Sequence, residues 1–126
     1  MILFTTQTPM KVDLSYLKNM SAGNKELVIE MIGIFREQVK EFNEGLEELY
    51  ANKEFEDLGR LAHKAKSSIS IMGLNDLAVE LKTFETLARA GEEVEKYPGF
   101  IANFKKETQE ALIELDDVVN NLDIYI

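Results

Sequence analysis

Apolar residues recur along this chain at steps of three and four, and no segment of useful length alternates with period two. That spacing marks amphipathic helices rather than strands. A short helix is predicted at about residues 13–20, with Asp13 as its N-cap and Leu14 and Leu17 facing inward. Ser21-Ala22-Gly23-Asn24 reads as a turn. A long helix follows over about residues 25–50, with the stripe Leu27/Val28, Met31, Phe35, Val39, Phe42, Leu46 and Leu49. Asn52 is the expected cap of a helix at about 53–71, striped by Phe55, Leu58, Leu61/Ala62, Ala65, Ile69 and Met72. Gly73 suits the end of that helix and Asn75 the start of the next, at about 74–90, which turns Leu77, Leu81, Phe84 and Ala88 inward. Gly91 to Gly99 reads as a polar connection whose Pro98 fits a first helical turn. The last helix runs to about Leu122 through Ile101, Phe104, Thr108, Ala111/Leu112, Leu115 and Val118/Val119.

Four long apolar stripes joined by short connections bury one another best as an antiparallel four-helix bundle. The expected fold is therefore all-α, with a short additional N-terminal helix over one end. Residues 11–126 are expected to form one bundle domain, and residues 1–10 a flexible N-terminal segment.

Composition agrees with that picture and narrows the chemistry. The chain has 126 residues, the size of one domain, and is 45% hydrophobic, enough to fill a core. It has no cysteine, which excludes disulfides and thiolate metal sites. No apolar run approaches the roughly 18 residues of a membrane span. Met1-Ile2-Leu3-Phe4 is apolar but lacks the basic flank of a signal peptide. A soluble, cytoplasmic monomer is expected. Acidic residues outnumber basic ones 23 to 14, for a net charge of -9, which argues against a nucleic-acid partner.

Against that acidic background, residues 58–75 hold Arg60, Lys64 and Lys66 and no Asp or Glu. The only histidine of the chain, His63, lies in this stretch. At 100° per residue it sits roughly 130° from the core stripe of Leu58, Ala62, Ala65 and Ile69, on the solvent side. Lone histidines are more often satisfied core groups, but this helical phase takes His63 out of the core. Lys66, Ser67 and Ser70 follow at i+3, i+4 and i+7 on neighbouring surface positions. Lys66 is placed to neutralise part of a phosphoryl dianion held on the imidazole. Ser67 is small enough for a partner to approach the ring, and Lys64 and Arg60 add positive field.

The run Leu61-Ala62-His63-Lys64-Ala65-Lys66-Ser67-Ser68, with Met72-Gly73 and then Leu77, Leu81 and Phe84-Glu85, resembles a histidine-containing phosphotransfer (HPt) domain. Such domains carry Ala-His-x-Leu-Lys-Gly-Ser, a glycine ten residues after the histidine, and a Leu-Glu pair on the next helix. Here the histidine, the lysine three on, the small residues, Gly73 and the acid at position 85 fall in step. Ala65 stands where the family often has Leu or Ile, and Ser67 where glycine is commoner. The resemblance implies that Glu85 accepts a hydrogen bond from the imidazole Nδ1–H, leaving Nε2 for the phosphoryl group. It implies a shuttle that takes a phosphoryl group from a receiver-domain aspartate and passes it to another receiver. The implied partners are response-regulator receiver domains and a hybrid sensor histidine kinase, which meet the exposed His63 helix and the adjoining face of the next one. No cofactor is expected on this chain, and Mg²⁺ is expected on the receiver.

The residues also bear on two rival functions. A di-metal carboxylate enzyme needs paired Glu-x-x-His motifs on inward faces. This chain has one histidine, with Arg60 rather than Glu three residues before it. No nucleotide-binding glycine loop or Walker-type lysine occurs, so the chain is not expected to phosphorylate itself from ATP. The other rival is a helical bundle that docks on receivers or other proteins without being phosphorylated.

Overall fold

The computed structural model describes residues 10–126, so the expected flexible segment at 1–10 falls almost wholly outside the described residues. Six α-helices follow in order: α1 (Ser15–Ser21), α2 (Lys25–Ala51), α3 (Phe55–Ile71), α4 (Asn75–Ala90), α5 (Tyr97–Asn120) and α6 (Leu122–Tyr125), with a 3-10 turn at Val94–Lys96. No strand occurs among the described residues. Helix α2 packs on α3 and α5, and α4 packs on the same two, so the four long helices close a ring. Helix α1 leans on α2 at one end. The all-α bundle expected from the stripes is the observed one.

The core runs down the centre of that ring. Phe35 and Phe42 from α2, Leu58 and Ile69 from α3, Leu81 and Phe84 from α4, and Phe104 and Leu115 from α5 are all buried. Each such side chain contributes about 1.5–3 kcal/mol on leaving water. Ala62 and Ala65, both fully buried, are small core residues of α3. They allow α4 to lie close, and α3 against α4 is the most extensive helix pair of the bundle.

Several boundaries depart from the sequence pattern. Asn52 does not cap α3; it closes α2, donating its backbone N–H to the Glu48 carbonyl. The reason is the turn that follows. Lys53 takes a left-handed φ of 58°, its N–H reaches the Tyr50 carbonyl, and the Glu54 N–H reaches Leu49. That is a Schellman ending with lysine where glycine is usual, so α3 begins only at Phe55. Asp13 is likewise one position off: Leu14 stands at the N-cap, while the Asp13 carboxylate accepts from both the backbone N–H (2.9 Å) and the hydroxyl (2.6 Å) of Ser15. Those bonds hold the Asp13 carboxyl below the ordinary carboxylate value. Helix α5 starts at Tyr97, earlier than the Gly91–Gly99 connection implied. Tyr97 is fully buried, and its hydroxyl lies 2.8 and 2.7 Å from the carbonyls of Leu87 and Glu92, which anchors the helix start. The chain breaks after Asn120 into α6 rather than running on to Leu122. In α2, Ile32 is buried and Met31 only half-buried.

One packing device was not visible in the pattern at all. Residues 10–14 cross the end of the bundle as a strap. The Glu114 carboxylate on α5 accepts from the backbone N–H groups of Lys11 (2.8 Å) and Val12 (3.1 Å). The Lys11 ammonium bridges Glu107 (3.2 Å) and Glu110 (2.9 Å). The Asp13 N–H then donates to the Met72 carbonyl at the end of α3 (3.1 Å). Gly73 makes this crossing possible. A Cβ there would stand 2.4 Å from the Asp13 Cβ and 2.5 Å from its carbonyl oxygen, and φ is +72°.

Candidate functional site

Helix α3 presents His63 at mid-length, with its side chain 53% exposed. Helix α4 supplies the facing group. Glu85 is 6% exposed, although it is a carboxylate. Its two oxygens each lie 3.1 Å from the His63 Nδ1. Burial pushes the Glu85 carboxyl upward. The hydrogen bond to His63 and the electrostatic influence of His63, Lys82 and Arg89 outweigh that and hold it below the ordinary value of 4.5. An ionised carboxylate only accepts, so the hydrogen of this contact sits on Nδ1. Nε2, on the far edge of the ring, has no partner among the described residues.

Three residues that sequence reasoning missed complete the cluster. The Arg89 Nε lies 3.2 Å from the Glu85 carboxylate, and the Lys82 ammonium lies 3.9 Å away. Gly59, one turn before His63, is the third. A Cβ there would meet the Arg89 Cγ at 2.7 Å and both the Arg89 N and the Glu85 carbonyl oxygen at 3.1 Å. The bare backbone at Gly59 therefore sets how closely the Glu85–Arg89 turn approaches the His63 turn. The available signal was a pair of i,i+4 spacings, Gly59 to His63 and Glu85 to Arg89, which becomes meaningful only once the two helices face each other.

The other sequence-predicted residues divide by helix flank. Ser67 and Ser70 are exposed on the same side of α3 as His63, and Lys66 is half-buried. Lys64 is exposed on the flank toward α2. Neither Lys64 nor Lys66 has an ion-pair partner among the described residues. Arg60 does: Glu56 lies 3.5 Å away and Asp57 3.7 Å away, both just upstream of the acid-free stretch. The basic patch on α3 is thus carried by Lys64 and Lys66, while Lys82 and Arg89 on α4 are both paired with Glu85. Gly73 stands away from the ring, where it serves the turn and the strap. A groove between α2 and α3 is lined by residues that include Met31, Ile34, Phe35, Ser68, Ile71 and Met72, and Ile34 is exposed. Among the described residues no three His, Asp or Glu side chains converge as a metal site, and no helix is long and apolar enough to cross a membrane.

What the cluster offers chemically is an oriented imidazole with one nitrogen held by a buried carboxylate and the other open to a partner, in a positive setting. Comparison with curated proteins and with solved structures finds no match. The family model described as Hpt domain matches residues 30–123, well over half of the chain, and the match spans His63, Glu85 and most of the bundle around them. The chain belongs to the Hpt domain family, the phosphotransfer modules of two-component signalling.

Proposed function

We propose that His63 is the phosphoryl-carrying residue, and that the chain shuttles phosphoryl groups between receiver domains. The observation that carries this reading is the contact of the His63 Nδ1 with buried Glu85, 3.1 Å long, in an Hpt domain. In the step proposed, the Nε2 lone pair attacks the phosphorus of a receiver's aspartyl phosphate. The N–P bond forms as the P–O bond to the aspartate breaks, and the aspartate leaves as a carboxylate. The ring becomes cationic with its hydrogen still on Nδ1, and Glu85 stabilises that charge. The reverse sequence delivers the group to a second receiver. Phosphoryl transfer asks mainly for in-line positioning and charge stabilisation. Lys66 and Lys64 supply positive charge around the phosphoryl oxygens, and Ser67 keeps the approach to the ring clear. Mg²⁺ belongs to the receiver in this scheme.

The partners proposed are response-regulator receiver domains and a hybrid sensor histidine kinase. Such a partner seats over His63, with the Ile34 and Ile71 groove beside it and its acidic pocket toward the lysines. The encounter is expected to be short-lived and salt-sensitive. The test is transfer from a phosphorylated receiver with Mg²⁺, followed by intact mass and acid lability. Acid-labile label on the wild type and none on His63→Gln supports the shuttle. No label from several different receivers supports docking without phosphorylation instead.

A further inference from the structure

Arg89 has no role in the carrier scheme above, yet the geometry at its position is built. Its side chain runs over Gly59, the one place on this part of α3 where no Cβ stands in the way. Its Nε reaches the same Glu85 oxygen that lies 3.1 Å from the His63 Nδ1. Glu85 and Arg89 are one turn apart on α4, and Gly59 and His63 one turn apart on α3, so the four residues form two facing pairs. Lys82 also bears on Glu85, but its ammonium is farther (3.9 Å) and its side chain is 61% exposed against 44% for Arg89. The titratable groups acting on Glu85 are His63 from α3 and Lys82 and Arg89 from its own helix. Those near the ring on α3 are Lys64, Lys66 and the paired Arg60.

This arrangement answers a conflict within the carrier scheme. The imidazole needs a carboxylate behind it to hold the Nδ1 hydrogen and to balance the ring's positive charge. The same carboxylate repels an incoming phosphoryl dianion. We infer that Arg89 is a positioning residue for phosphoryl transfer: it holds the Glu85 carboxylate on the His63 Nδ1 and cancels that carboxylate's charge as seen by the phosphoryl group. The inference rests on the phosphoryl-carrier reading for its kinetic part only. Its geometric part concerns the unmodified protein.

Both parts are open to test. His63 is the only histidine, so nitrogen NMR of the neutral imidazole reports its tautomer without ambiguity. Wild type is expected to hold the hydrogen on Nδ1. Arg89→Gln is expected to move population toward the Nε2–H form, Arg89→Lys to restore part of the wild-type distribution, and Lys82→Gln to change it less. Gly59→Ala, which displaces Arg89 from the other helix, is expected to act like Arg89→Gln. Phosphoryl uptake from phosphoramidate, which needs no protein partner, is expected to fall about three- to five-fold in Arg89→Gln, the size of a half-exposed ion pair. A merely structural arginine would lower the melting temperature and leave the tautomer alone. Arg89→Gln with the wild-type tautomer would overturn the inference, and so would an unchanged uptake rate. If wild type takes up no phosphoryl group from any donor, the carrier reading fails, and the tautomer still decides whether Arg89 holds Glu85 in place.

Discussion

The His63 site and the N-terminal strap are made from the same parts and end in opposite states. Each has a carboxylate from one helix, a cation beside it, and a glycine that lets two backbone segments come close. At the strap, Glu114, Glu107 and Glu110 meet Lys11 and two backbone N–H groups, and every donor there finds an acceptor. At the site, Glu85 is buried and shared among His63, Arg89 and Lys82, and the imidazole keeps one nitrogen open. Burial and incomplete pairing separate the two. Water around Lys11 screens its ion pairs, so that cluster serves as a clasp. The buried Glu85 transmits its orientation to a ring that faces the partner.

The contrast sharpens first at the glycines and the buried acid. Glu85→Ala is expected to reduce phosphoryl uptake by about 100-fold, because the ring loses its orientation, while the bundle stays folded by circular dichroism. Glu85→Gln retains an acceptor oxygen and is expected to fall between the alanine variant and wild type. Gly73→Ala is expected to cost about 2–3 kcal/mol in denaturant unfolding, combining a left-handed φ with a collision against Asp13. Gly91→Ala has a similar φ and open space around it, and is expected to cost about 1 kcal/mol. Equal costs at the two glycines would mean that the strap contributes nothing.

Acid should act on both regions in the same direction. The Glu85 carboxyl is lowered in the folded state, so its stabilising contribution is complete above its ordinary value of 4.5 and is lost as pH falls through the lower folded value. The lowered carboxyls of Asp13 and Glu110 at the strap follow the same sign. Stability measured from pH 7 down to 3 should therefore fall less steeply in Glu85→Gln than in wild type. Glu80 carries the opposite sign. Burial between α4 and α5 raises its carboxyl above the ordinary value, and the Asn103 amide at 2.7 Å opposes that only in part. Ionised Glu80 thus opposes folding at neutral pH. Glu80→Gln is expected to raise the melting temperature slightly at pH 7 and to lose that advantage in acid. Its amide oxygen still accepts from Asn103. A lower melting temperature at pH 7 would contradict the assignment.

The bundle itself was legible because four stripes of period 3.6 are long enough to define their own faces. Leu58, Ala62, Ala65 and Ile69 show the core side of α3, and hence the exposed side that holds His63. The pattern failed where neighbouring positions were equally apolar, as with Met31 and Ile32. It failed again where a left-handed turn was made by Lys53 instead of glycine. The strap was hidden because the partners of Lys11 and Val12 lie on α5, about a hundred positions away along the chain. At the site, His63 and its small and basic neighbours stood out by helical phase and by the missing acids, and the family resemblance pointed to Glu85. Gly59, Lys82 and Arg89 did not stand out, since each acts only through the facing helix. Arg60 looked free in the acid-free stretch, but its ion-pair partners lie just outside that window.

The most direct measurement is phosphorus–proton correlation NMR on the phosphorylated chain, with its single histidine as the reporter. A phosphoryl group on Nε2 couples to both ring C–H protons, whereas one on Nδ1 couples only to the proton between the two nitrogens. Coupling to both is expected, with Nδ1 still held by Glu85. Coupling to one proton only, or label on any residue other than His63, would contradict this.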